Sequence, residues 1–285
     1  MLTVTYLDVG QADCTILQCG DRTMLIDGGG NSGARTVLAA LEALGVERID
    51  YVVATHSHED HIGGLDEVLA RCPTENIICR REESTTKSYL DFLREAEACG
   101  ARWIVPEPGL KFALGDASFL LLAPSEEVFE KANNCSVALL VTFGKTRFLF
   151  TGDAEAESER AMLELGLSLE ADVYKAGHHG SSTSSTEKFV EAVDPVYAVI
   201  SCGAGNEYGH PHSEVMSRLE EHDVQIYRTD MMGTVTIVSD GKTLNIRTQK
   251  PAAQGQEHYP ARNRAFYDFF ASYLLQGSRR LNCNE

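Results

Sequence analysis

Three histidines and an aspartate, His56, His58, Asp60 and His61, lie together in Thr55-His56-Ser57-His58-Glu59-Asp60-His61-Ile62-Gly63-Gly64. Neutral imidazoles and a carboxylate form the ligand set that divalent zinc, manganese or iron accepts. The apolar run Ile49 to Ala54 precedes them, so the ligands leave a buried strand end where alternate side chains can converge, and a Gly-Gly turn follows. Four ligands are enough for one metal and short of two. Asp153, in Thr151-Gly152-Asp153-Ala154-Glu155, stands at the end of another β-rich run, where it can bridge two cations or cap the next helix. At a third strand exit, Lys175-Ala176-Gly177-His178-His179-Gly180, one histidine can face a metal and the other a substrate.

The elements that must position these groups alternate along the chain. β-rich runs at Leu2 to Leu7, Thr23 to Ile26, Ile49 to Ala54, Arg147 to Phe150, Asp172 to Lys175 and Val196 to Ile200 each end in a polar or glycine-containing loop. Helical apolar spacing fills Ala34 to Leu44, Leu65 to Arg71, Thr86 to Cys99, Ala156 to Leu165, Glu187 to Ala192 and Ser213 to His222. The pattern is α/β. Ser118 to Ala123, Ser136 to Phe143 and Arg147 to Phe150 follow one another closely, the last pair joined by a Gly144-Lys145-Thr146 hairpin. That predicts layered, partly antiparallel sheets with outer helices and strand-end loops converging at one edge.

The domain is expected to span residues 1–248. A polar stretch from Thr248 to His258 reads as a linker, and residues 249–285 as a linker with a C-terminal helix bearing Phe266, Phe269, Phe270, Tyr273 and Leu274 on one face. Docking of that helix on the body is the expectation; an oligomer or membrane contact is the alternative. The 42 acidic against 25 basic residues give a net charge of −17, which argues against non-specific duplex binding. No run approaches a membrane span, the N-terminus carries no signal-peptide pattern, and the eight scattered cysteines read as reduced thiols. A cytoplasmic location is therefore expected.

The chain resembles the metallo-β-lactamase fold superfamily, and within it the metal-binding domain of bacterial competence proteins of the ComEC/Rec2 type. The resemblance rests on Leu7-Asp8-Val9-Gly10-Gln11-Ala12-Asp13, Ile26-Asp27-Gly28-Gly29, the histidine cluster, Asn133-Asn134-Cys135-Ser136, Thr151-Gly152-Asp153 and Lys175-Ala176-Gly177-His178-His179-Gly180-Ser181, in family order. It implies an αββα sandwich with a two-metal site at one edge, holding zinc or manganese. It further implies that His56 and His58 hold one metal, Asp60 and His61 the other, with Asp153 bridging and Asp27 orienting the histidine loop. His179 is assigned as the remaining ligand and His178 as a substrate contact, an order that could be reversed. Where many relatives supply another histidine, this chain offers Asn133, Asn134 and Ser136, of which Asn134 and Ser136 are taken as substrate contacts. The loop Gly203 to His212 resembles a substrate-facing loop, in which Asn206, Tyr208 and His210 could donate hydrogen bonds to phosphate oxygens.

A metal pair lowers the pKa of a shared water, which points to hydrolysis, with Asp60 orienting or deprotonating the nucleophile and His178 or His210 serving the oxyanion or leaving group. Diiron flavoprotein relatives carry glutamate at the position of His58, so hydrolysis is expected over electron transfer. A phosphodiester is the expected substrate: a nucleic acid end, a nucleotide-like compound or another small phosphoester. The alternatives are hydrolysis of a non-phosphate ester and a metal-binding module without turnover in a DNA-uptake or other assembly.

Overall fold

The computed structural model describes residues 1–125 and 129–251, and the expectations for the C-terminal linker and helix otherwise lie outside them. Two mixed sheets stack face to face. The first contains β1 (Leu2–Tyr6), β2 (Thr15–Cys19), β3 (Arg22–Ile26), β4 (Ile49–Val53), β5 (Thr74–Ile78) and β6 (Arg102–Ile104). The second contains β7 (Lys111–Leu114), β8 (Ala117–Ala123), β9 (Ala138–Phe143), β10 (Thr146–Phe150), β11 (Val173–Lys175), β12 (Tyr197–Ile200) and β13 (Gln225–Arg228). The chain then returns to the first sheet with β14 (Val235–Ser239) and β15 (Leu244–Thr248), giving the orders β15-β14-β1-β2-β3-β4-β5-β6 and β13-β12-β11-β10-β9-β8-β7.

Strand alternation builds the layers. In β8 and β10, Phe119, Leu121, Phe148 and Phe150 enter the core between the sheets, whereas Leu122 and Leu149 face the outer helices. In β4, Val53 points inward and Val52 outward. Each fully buried side chain of this size contributes about 1.5–3 kcal/mol. Outside the first sheet pack α1 (Ala34–Ala43), the one-turn α2 (Glu59–Ile62), α3 (Leu65–Arg71) and α4 (Lys87–Ala98), seating Val37, Leu41, Val68 and Phe92. Outside the second pack α5 (Ala156–Glu164), α6 (Glu187–Val193) and α7 (Ser213–Glu221), seating Met162, Phe189, Val215 and Leu219; the one-turn α8 (Thr229–Met232) follows β13. The result is an αββα sandwich.

β3 and β4 run parallel in the first sheet, as do β10, β11 and β12 in the second, so the carboxyl ends of each set open on one side. The expected hairpin forms by pairing Phe143 with Thr146, a turn of Gly144 and Lys145. The Gly63-Gly64 pair, expected as a turn, instead continues between α2 and α3 with helical backbone angles. Its glycines are required by closeness: a Cβ on Gly64 would lie 2.3 Å from the Gly28 carbonyl oxygen. The seven described cysteines are free thiols.

Candidate metal centre

The turn after β3 builds the site from beneath. Asp27 sits in the left-handed region, φ 57°, which aspartate tolerates better than most residues with a side chain. Its carboxylate accepts the Thr55 backbone N–H and hydroxyl, both at 2.8 Å, and binds His61 Nδ1 at 2.7 Å. His61 Nδ1 therefore carries its proton toward Asp27, leaving Nε2 to face Asp153 Oδ1 at 3.2 Å. His179 repeats the device. Its Nδ1 lies 3.0 Å from the Ser201 carbonyl, which can only accept, so Nδ1 carries a proton and Nε2 is the atom turned to the site, 3.1 Å from Asp60 Oδ2 and 3.8 Å from Asp153 Oδ2.

Asp60, His61, Asp153 and His179 thus bring ligand atoms within 4.8 Å of one another. Among them, His61 Nε2 and Asp153 Oδ1 are buried with no hydrogen-bond partner. Buried polar atoms without hydrogen-bond partners are costly, and an imidazole nitrogen set against a carboxylate oxygen in this way is an arrangement a divalent cation satisfies. The donor set fits such an ion. A second set meets the first at Asp153: His56 Nε2 lies 3.9 Å from Asp153 Oδ2 and 3.0 Å from His58 Nδ1. His56 Nδ1 is held by the hydroxyls of Thr55 and Ser136 at 3.2 and 3.4 Å. This set has three protein donors, one fewer than the other.

Burial opposes charge throughout the centre, and the groups offset it mutually. The Asp153 carboxyl is held well below its usual range because His61, His179 and His56 outweigh burial. Burial would lower His61, yet Asp153 and Asp27 hold it well above normal; Asp153 and Asp13 likewise lift His179 to about 10. Without a cation, protons supply the positive charge these carboxylates demand. His56 goes the other way, driven well below its usual range by burial and then by His61.

His178 lies on the open side, with Nε2 3.6 Å from Asp153 Oδ2 and Nδ1 3.0 Å from the Thr183 hydroxyl. His210 stacks against His179 with ring centroids 6.2 Å apart. Gln11 Oε1 accepts from Gly203 N, which turns its NH2 toward His210 Nδ1 at 3.3 Å. Nδ1 is therefore the acceptor and Nε2 carries the ring proton. Burial, followed by His179, His178 and His212, pulls His210 down to about 4, leaving a neutral N–H donor.

Three expected substrate contacts are otherwise engaged. Asn134 is fully buried; its Oδ1 accepts from the Glu155 and Ser158 backbone at the start of α5, and its Nδ2 donates to Glu157. Ser136 is also buried, receiving the Asp153 backbone N–H at 3.1 Å and so placing that carboxylate. Asn206 closes its own loop through Gly203 and His210. Tyr208 is 60% exposed beside His210 and remains available. Asp13 and Lys175 were not singled out from the sequence as site residues. Both are buried, Asp13 against His179 and Lys175 against Asp13, and the polar loop Gly10-Gln11-Ala12-Asp13 after a strand was a signal for the first.

The family model of the metallo-beta-lactamase superfamily matches residues 7–204. The chain belongs to that superfamily. Competence protein ComA of Neisseria gonorrhoeae is 32% identical over 234 residues, 81% of this chain and 31% of that protein. The chain spans about a third of the length of the curated relatives it matches. Among solved structures, the metallo-beta-lactamase fold protein YhfI from Bacillus subtilis superposes with a TM-score of 0.54 at 14% identity, covering 86% of this chain and 99% of that one. CmlA, a diiron beta-hydroxylase from Streptomyces venezuelae, gives 0.55 at 17% identity over 82% and 53%. These two likenesses concern the fold, which by itself selects neither metal nor reaction. Among the described residues, no helix is long and apolar enough to cross a membrane.

Proposed function

We propose that the chain is a metal-dependent phosphodiesterase in which Asp60, His61, Asp153 and His179 hold one divalent ion, and His56, His58 and Asp153 a second. The observation that carries this reading is the convergence of ligand atoms from Asp60, His61, Asp153 and His179, with Asp153 Oδ1 and His61 Nε2 buried and without a hydrogen-bond partner. Zinc and manganese both suit the imidazole and carboxylate donors. Bound there, such ions supply Lewis acidity and lower the pKa of water toward neutrality.

The protein's own groups divide the remaining work. Asp60, the least buried of the four, orients the attacking water through its carboxylate. His210 donates its Nε2 hydrogen to an oxyanion, its low proton affinity fitting it for that role rather than for general acid catalysis. His178, reachable from solvent, is the group that exchanges a proton with the leaving oxygen. A phosphodiester is favoured over a lactam or thioester by the similarity to competence proteins, and the net charge of −17 favours a small phosphoester or nucleotide-like compound over duplex DNA.

The test is hydrolysis of a nitrophenyl phosphodiester by protein supplied with zinc or manganese. Turnover that Asp153→Ala abolishes, and that His58→Ala lowers at least 100-fold while the protein stays folded, is the expected result. Inactivity on phosphodiesters with every divalent metal tried would sink the phosphodiesterase. Retained metal binding in that case would favour the second reading suggested by the competence relative, a metal-binding module without turnover.

A further inference from the structure

Behind His179 lies an ion pair that the chemistry above does not use. Asp13, in the loop between β1 and β2, meets Lys175, the last residue of β11, with Oδ2 2.8 Å from Nζ. Both side chains are almost wholly buried, 7% and 3% exposed. Lys175 makes a further bond to the Ala176 carbonyl at 3.1 Å. The other carboxylate oxygen, Asp13 Oδ1, has no hydrogen-bond partner and lies 3.4 Å from His179 Nδ1, on the side of the ring away from Asp60. The backbone of Asp13 is tied to the same centre: its N–H donates to the Asp60 carbonyl at 3.0 Å, and its carbonyl accepts from Gly29 at 2.8 Å.

We propose that the Asp13–Lys175 pair is a positioning device that sets His179, delivered by the second sheet, against Asp60 and Asp153. This rests on the reading of those three as metal ligands. A buried ion pair is a poor stabiliser of a fold, because its desolvation cost matches or exceeds its attraction, and an apolar pair of similar volume commonly serves as well. What an apolar pair cannot do is hold a carboxylate against the Nδ1 side of His179, where it adds to the Ser201 carbonyl in keeping Nε2 turned toward Asp60 and Asp153. Asp13 also brings a ligand atom within 4.8 Å of Asp27 and His61, which makes a second acidic nest behind the ligands. The Lys175 ammonium is the fixed cation bonded to Asp13 in that nest.

The test replaces both charges at once, with Asp13→Leu/Lys175→Met, and compares the full-length variant with the unaltered protein in thermal melting and in titration with cobalt(II). The expected variant melts within a few degrees of the parent, binds cobalt at least ten-fold more weakly in one of its sites and shows altered visible absorption of the bound ion. A folded variant with parental cobalt affinity and spectrum would overturn the proposal and leave the pair a structural one. Should the double variant not fold, Asp13→Asn keeps the volume and an acceptor for Lys175 while removing the charge facing His179. Weakened cobalt binding is expected of it, together with a lower melting temperature because the buried Lys175 ammonium loses its counter-charge, and unchanged binding overturns the proposal. If the unaltered protein binds no cobalt, the ligand reading itself fails, a result recognisable before any variant is made.

Discussion

At the scale of single residues, tautomer control decides which atoms are free to act. Asp27 and the Ser201 carbonyl occupy the Nδ1 sides of His61 and His179, so both rings face Asp153 with Nε2. In metal-free protein these rings hold protons, and the sign of the consequence follows. A histidine raised by folding contributes stability that is complete below its unfolded pKa of about 6.5 and is lost as pH rises through the folded value, about 10 for His179. Thermal melts of chelator-treated protein should therefore fall between pH 7 and 10, and metal-saturated protein should show a much shallower slope. Equal slopes would contradict the assignment. Asn134 makes the opposite point. Its place in a region where relatives carry a further histidine suggests a substrate contact, whereas its carbonyl oxygen accepts from backbone N–H groups at the start of α5. Asn134→Ala should cost about 1 kcal/mol, or about 2–4 °C in melting temperature for a chain of this size, with metal affinity preserved. A change in metal affinity without a change in melting temperature would refute that role.

At the scale of elements, the strands and helices flanking the ligands were legible because their signals are local. The apolar run Ile49 to Ala54, a glycine hairpin after Phe143 and apolar spacing in Thr86 to Cys99 each fix an element without reference to the rest of the chain. β2 was not among the expected strands, and Thr15–Cys19 is defined by its pairing with β1 and β3 on either side. The β14–β15 hairpin is likewise defined by pairing with β1 across more than 200 residues. The Gly-Gly pair was visible, but its reason was not: close approach to another loop leaves no trace in the pattern. Gly64→Ala should push α3 from the Gly28 carbonyl, destabilise the protein by about 2 kcal/mol or more and weaken metal binding, since Gly28 N also bonds the His61 carbonyl at 2.7 Å. A denaturant midpoint equal to that of the parent would show that the loops separate freely.

At the scale of the whole molecule, the sandwich brings together residues far apart in the sequence. Asp27, His56, Asp60 and His61 come from the first sheet's loops, and Asp153 and His179 from the second's, joined where the Val137 N–H meets the Thr55 carbonyl. The order of motifs made this assembly readable as a metal centre. Asp13 and Lys175 lie within motifs the sequence displays, but their pairing escaped because an aspartate and a lysine separated by 162 positions carry no spacing signal for each other. The central claim is that Asp153 joins two donor sets, and the most direct measurement is the number of zinc or manganese ions bound per chain at equilibrium in the parent and in Asp153→Ala. Two ions in the parent and at most one, weakly held, in the variant is the predicted result. An Asp153→Ala protein that still binds both ions with parental affinity would contradict it.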